Sequence, residues 1–425
     1  MIHGGEITML NWFSKGKGRE APAATSKEHW RQVIGDLEYL QKVHARSHPW
    51  LAGMEPGATD ADFTEQFLVH FHQSMTAAGI TSLPLDAWRK EMEPGFRARP
   101  FSRYEDPLTH FWLQQMQGQL EQSCQRLKIG LPKQPVFGSL QTGRVNGVAA
   151  DVDNPSYYLI LIDDGIMGFA NLLSKVAAVS FPVTQAEDGN LNFATDRDSV
   201  VRQRLQSPET GMRFFDLLTA YAVQGAPHAA QSYLMTTHHT HLVGVFRDAM
   251  EFFIFGHEYG HCAAGHLQGA PRMSLSMAAE GNGEGGEIEL RMPESWEKEL
   301  EADYIGLALA MDVMRARGYS PNLSYAGVEL VFTGVDYMQR TLSILEHGVE
   351  QERLLDTHPP ALVRREAMRQ NALGLLGEEA GSVAGDLADI VNDTLEYHWR
   401  AVAPALARMH ADGYRPHARW SQKAQ

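Results

Sequence analysis

Between residues 27 and 130, apolar positions recur every three or four residues in HWRQVIGDLEYLQKVH, DFTEQFLVHFHQSM and THFWLQQMQGQLEQSCQRL. That is the period of helices that bury one face. Stretches rich in Pro and Gly separate them. The pattern changes after Pro132: PVFGSLQTGRVNGVAADV and SYYLILIDD are short β-branched or aromatic runs with turn residues between them, which predicts the strands of a small sheet. Helical spacing returns at 165–179 and 211–223. A strongly apolar run from Val243 to Phe255 then predicts a buried helix, and an amphipathic to buried one begins near Glu294. Further helices are expected at 323–347 and within DLADIVNDTLEYHWRAVAPALARM. The expected fold class is α+β, predominantly helical. Residues 1–26 read as a disordered lead and 27–130 as a helical N-terminal region. Residues 131–375 read as the domain that holds the sheet and the buried helices, and 376–425 as a C-terminal helical tail.

The chemistry concentrates in Phe252–His266, FFIFGHEYGHCAAGH. His257 and His261 are one helical turn apart, about 40° around the axis, so both imidazoles project from one face and can bind one ion. Glu258 lies next to the first ligand, where its carboxylate can serve as general base for water at an open coordination position. The bare His-Glu-x-x-His pattern also arises by chance in structural helices. Here an apolar run precedes it, and in a buried helix an unpaired His or Glu is costly, so the polar groups need a shared partner. Glycines 256, 260 and 265 are poor helix formers, but they let another segment or a substrate approach closely.

A third ligand is expected in WEKELEADYIGLALAMDVM. Glu299 would complete a two-His, one-Glu set, with Glu297 and Glu301 as alternatives, since acids in a first turn are also favoured by the helix dipole. Asp303, four residues after Glu299, can accept a hydrogen bond from a ligand imidazole and hold its tautomer.

His-Glu-x-x-His followed by Glu-x-x-Ala-Asp resembles the gluzincin metallopeptidases of the CAAX prenyl protease and HtpX type. The segment DTHPPALVRR, with His358, Pro359, Pro360 and Arg364, resembles their downstream His-Pro-Pro-x-x-x-Arg element. Asn146-Gly147-Val148-Ala149 is similar, more loosely, to their Asn-Ala-Phe-Ala strand, and His266 fits their extended His-Glu-x-x-His-x-x-x-x-His form. The matches run from Asn146 to Arg364 in the family's order. The resemblance implies a zincin-like metallopeptidase core over 131–375, one Zn2+ per chain, an oxyanion-stabilising role for His358 and a supporting role for Arg364. In such folds an edge strand beside the metal pairs with an extended substrate. The best-known members of the family are membrane-embedded. This chain has no run of about 18 apolar residues, so their membrane substrates are not implied.

With 425 residues and 44% apolar content the chain can bury a sizeable core. A net charge of −15, from 37 basic and 52 acidic residues, argues against a nucleic-acid partner. Arg364, Arg365 and Arg369 read as site-supporting and solvated residues rather than a phosphate track. Cys124 and Cys262 form no disulfide framework, which agrees with a reducing cytosol and a cytoplasmic protein. Cys262 points about 100° away from His261 on a helix and reads as a small core residue. The apolar patch near the start lacks the long core and cleavage site of a signal peptide, and Met9 is an alternative start. His70 and His72 do not share a helix face. His238, His239 and His241 read as polar residues flanking the start of the long helix. The glycine-rich, acidic stretch 277–293 reads as a mobile loop between the two ligand helices.

The function these features predict is zinc-dependent hydrolysis of peptide bonds in a protein or peptide substrate. Zinc on His257, His261 and Glu299 polarises the carbonyl, Glu258 takes and returns the proton, and His358 supports the oxyanion. Two other classes fit the same ligands: a zinc-stabilised binding or sensor protein, and a hydrolase of a non-peptide amide. A base at position 258 argues against the first.

Overall fold

The computed structural model describes residues 27–47, 68–69, 72–73, 76, 83–96, 102, 104–152, 154–185, 191–267, 292–351 and 359–420. The expected lead 1–26, most of DFTEQFLVHFHQSM with His70, nearly all of the glycine-rich stretch and His358 lie outside the described residues. Helices dominate, as the periodicity predicts, and the strands are few and short.

The first helices are α1 (Lys27–Ser47), α2 (Leu85–Phe96) and α3 (Pro107–Leu127). Helix α3 has clear local causes at both ends: the Asp106 side chain accepts from the Thr109 N–H, Pro107 occupies the first turn, and Lys128 closes the helix in the left-handed region at φ 58°. Strands β1 (Gln134–Leu140), β2 (Gly147–Ala150) and β3 (Tyr157–Asp163) follow, and form a sheet in the order β1-β3-β2. β1 runs parallel to β3 and β2 antiparallel, with Gly147 opposite Ile162. All seven residues of β3 are buried. Tyr158, Ile160 and Ile162 face the main core, while Tyr157, Leu159 and Leu161 pack with Val33 and Leu37 of α1. Covering on both faces explains why this strand reads as an unbroken apolar run.

Next come α4 (Gly165–Ala178), a two-stranded ribbon of β4 (Val183–Gln185) and β5 (Leu191–Phe193), α5 (Arg197–Leu205) and α6 (Glu209–Thr219). A π turn at Ala220–Gln224 ends α6, where the sequence predicts helix to residue 223. The core is then built by α7 (Thr237–Ala263), α8 (Met292–Ala316), α9 (Pro321–His347), α10 (Ala361–Leu376) and α11 (Glu378–Ala411). One apolar cluster joins residues of α3, the sheet and α4 with these five helices. Helix α8 takes in Met292 and Pro293, which the sequence assigns to the glycine-rich loop.

Helices α7 and α8 touch backbone to backbone. A Cβ on Gly260 would lie 2.7 Å from the Ala302 carbonyl oxygen, and one on Gly306 would lie 2.8 Å from the His257 amide nitrogen. Glycine is what lets the two ligand-bearing segments meet. The strongly apolar run at the start of α7 is a buried helix, as expected, and it also carries buried charge. Arg247 and Arg317 both pair with Asp248. Burial pushes the nearby Glu251 carboxyl up to about 7, opposed by the Arg247 charge. Among the described residues no helix is long and apolar enough to cross a membrane.

Candidate metal centre

His257 and His261 project from the last turns of α7, and Glu299 from the first turns of α8, where the glycine seam brings the two helices together. Among the described residues these three form the group able to hold a metal ion, with their ligand atoms all within 4.8 Å of one another. The two Nε2 atoms are 3.1 Å apart. The Glu299 carboxylate bridges them, Oε2 at 3.4 Å from His257 Nε2 and Oε1 at 3.4 Å from His261 Nε2. Tetrahedral ligation at about 2.0–2.1 Å would space such atoms roughly 3.3 Å apart, so the donor set fits one zinc-sized ion.

The other face of each imidazole is held by a different chain of partners. His257 Nδ1 donates to Asp303 Oδ1 at 2.8 Å, and the Arg364 guanidinium donates to both oxygens of the same carboxylate, at 2.8 and 2.6 Å. Asp303 is fully buried. Burial alone would raise its pKa, but the charge and hydrogen bonds of Arg364, with the bond from His257, hold it down at about 2. Burial depresses His257, yet its hydrogen bonds to Asp303 and Glu299 outweigh that and lift it to about 10. Asp303 and Glu299 together thus favour positive charge on the His257 ring.

His261 Nδ1 lies 3.0 Å from His266 Nδ1, and His266 Nε2 lies 3.0 Å from Glu301 Oε2. An ionised Glu301 only accepts, so His266 carries its proton on Nε2 and its Nδ1 accepts from His261 Nδ1–H. Burial keeps His266 below the usual histidine range, in line with a single ring proton. Both rings thus turn Nε2 toward the point where an ion could sit and give Nδ1–H to a neighbouring group.

Glu258 is buried, and its side chain lies against the sheet. A Cβ on Gly147, the first residue of β2, would lie 3.0–3.2 Å from the Glu258 Oε1, Cγ and Cδ atoms. Strand β2 pairs with β3 on one side and is an edge of this three-stranded sheet. The Glu258 carboxylate thus lies against an edge strand.

The expected ligands His257, His261 and Glu299 come together, and Asp303 and Arg364 form a hydrogen-bonded chain behind His257. Of the three candidate acids, helix phase places Glu299 with the imidazoles, while Glu297 is exposed and Glu301 turns to His266. Cys262 is buried outside the ligand group, its thiol pushed well up by burial. His239 is held by Thr236 and the Phe181 carbonyl, and His241 stacks on Phe193, so neither joins a metal group. His72 bonds the Leu83 carbonyl. Arg369 serves elsewhere, joining α10 to buried Glu329 of α9 and to Asp389 of α11. Spacing in the sequence does not reveal the supporting link from His261 through His266 to Glu301. The one signal for it is His266 itself, five residues past a ligand, with an acid two residues past Glu299. No family model, no curated protein and no solved structure matches the chain.

Proposed function

We propose that the chain is a zinc-dependent peptidase with a zincin-like core, in which Glu258 is the general base. The observation that carries this reading is the position of Glu258: buried, next to the first of three converging ligands, and against the edge strand β2. A site that only binds metal has no use for a carboxylate held there. Two imidazoles and one carboxylate with an open position suit a redox-inert tetrahedral ion, which favours zinc over iron.

When bound, zinc supplies Lewis acidity, polarising a carbonyl and lowering the pKa of water to about 7. The chain's own residues do the rest. The outer edge of β2 offers main-chain groups to an extended peptide, which orients the scissile bond. Glu258 accepts the proton of the attacking water and returns it to the leaving amine. Asp303 and His266 hold the ligand rings. The resemblance of DTHPPALVRR to the peptidase element supports His358 as the donor to the tetrahedral oxyanion, a contact that typically contributes about 3 kcal/mol.

The test is a survey of new protein N-termini in cells expressing either the wild type or Glu258→Gln, with zinc content measured on both purified proteins. New termini confined to the wild type, with equal zinc in both, are expected; turnover in the variant should fall by about 10²–10⁴-fold. Loss of zinc on Glu258→Gln would make residue 258 a ligand and overturn its role as base. No wild-type-specific termini from a zinc-loaded protein would favour the non-catalytic binding or sensor reading.

A further inference from the structure

The segment after α11 returns to the strand that flanks Glu258. It turns at Gly413, and the His417 N–H donates to the Ala222 carbonyl at 2.7 Å, inside the π turn. Trp420 stacks on Tyr221 with ring centroids 4.4 Å apart, and its indole N–H donates to the Tyr221 carbonyl at 2.8 Å. Between these anchors, Arg419 Nη1 donates to two main-chain carbonyls, Thr142 and Gly225. The socket is shaped for that guanidinium: Gly143 and Gly225 both have positive φ, 71° and 86°, and a Cβ on either would crowd the Arg419 side chain. Arg144 also lies over the Trp420 ring.

The socket belongs to the loop that delivers β2. On its other side, Thr142 Oγ1 donates to Asp163 at 2.6 Å and the Gly143 N–H to Asp164 at 2.7 Å. Four residues after Gly143 the chain reaches Gly147, in contact with Glu258. Asp163 and Asp164 tie the loop to the sheet, while Arg419 ties it to the helical body through the π turn. With both ties in place, the edge strand has one position relative to the helix that carries His257, Glu258 and His261.

We propose that Arg419 is a positioning residue: the segment 417–420 is a latch that sets the edge strand β2 against Glu258. Its consequence for substrate rests on the peptidase reading, but the latch itself does not. Without the guanidinium the Thr142 and Gly225 carbonyls lose a charged donor, and the loop gains freedom that passes along the chain to β2.

Hydrogen exchange and peptide kinetics on the full-length zinc-loaded protein separate the two. Arg419→Ala should speed exchange in residues 141–150 by roughly tenfold, the scale of one charged hydrogen bond, while α7 and α8 keep their protection and zinc content is unchanged. Arg419→Lys should recover part of the protection, since one ammonium replaces a guanidinium at the shared site. With an extended peptide, KM should rise more than kcat falls, because substrate alignment rather than the base is disturbed. Trp420→Phe keeps the stack and loses the indole donor, and should show the same local pattern in weaker form if Arg419→Ala folds poorly. Unchanged exchange at 141–150, or acceleration spread equally over the chain, would overturn the latch. A wild type that cleaves no peptide while the local exchange effect persists would sink the peptidase reading and leave the latch standing.

Discussion

The two imidazoles of the candidate metal centre are held unequally. His257 gives its Nδ1 proton to a carboxylate that is fully buried and doubly bonded by Arg364, whereas His261 gives its own to a neutral ring whose partner, Glu301, is 60% exposed at its side chain. Asp303→Asn should therefore weaken zinc binding more than His266→Ala, because it also leaves the Arg364 charge buried without its counter-ion. Supporting groups of this kind typically contribute about 10–100-fold in metal affinity, and chelator competition on the two variants would measure the order. Equal losses would mean that Arg364 does not strengthen the His257 side. At this scale the sequence is informative where one helix carries the geometry: His257, Glu258 and His261 are legible because their spacing alone sets their faces. The choice of Glu299 over Glu297 and Glu301 depends on how α8 is rotated against α7, which no local spacing states. The contact of Glu258 with Gly147 joins residues more than a hundred positions apart, and it became visible only with the sheet in place.

The crossing of α7 and α8 is where an element-level change reaches the site. At Gly260 an added methyl would meet backbone atoms of Ala302 at 2.7–2.8 Å, and backbone cannot swing aside as a flexible side chain can. Gly260→Ala should cost about 1–3 kcal/mol of stability and lower zinc affinity, since the helix that carries Glu299 must back away from the imidazoles. Gly244 lies in the same helix with nothing within 4 Å of its added Cβ, so Gly244→Ala is the internal control and should stabilise by about 0.5–1 kcal/mol. Thermal melts and zinc titrations of the pair would check both; like behaviour of the two variants would mean that the seam has no special role. Elements with clear periodicity, α1, α3 and α9 among them, stand close to where the pattern puts them. Other features depend on partners distant in sequence. The Arg247–Asp248 pair hides in a run whose average is apolar, its partner Arg317 lies far along the chain, and which strand is the edge beside Glu258 follows from pairing, not from strand composition.

For the molecule as a whole, the buried acid Asp163 links the latch region to stability. It closes β3, accepts from Thr142 Oγ1, and burial pushes its carboxyl up to about 8, partly offset by the Thr142 hydrogen bond and the Arg144 charge. In the unfolded chain the same group titrates near the ordinary aspartate value of about 3.9. Between those values the folded protein binds one more proton than the unfolded chain, so this residue's contribution to stability is full below about pH 4 and falls as pH rises toward 8. The slope is at most about 1.4 kcal/mol per pH unit. Asp163→Asn keeps an acceptor for Thr142 and removes the titration. The stability of the variant relative to wild type should therefore increase steadily from pH 4 to 8 and level off above. Denaturant melts of both proteins across that range, at saturating zinc, test it; the difference between them cancels the titration of the metal ligands. A constant difference would mean that Asp163 is ionised in the folded protein at neutral pH, held by Arg144 and Arg419. The loop that carries Thr142 would then be tied to the sheet through a charged carboxylate rather than a neutral one.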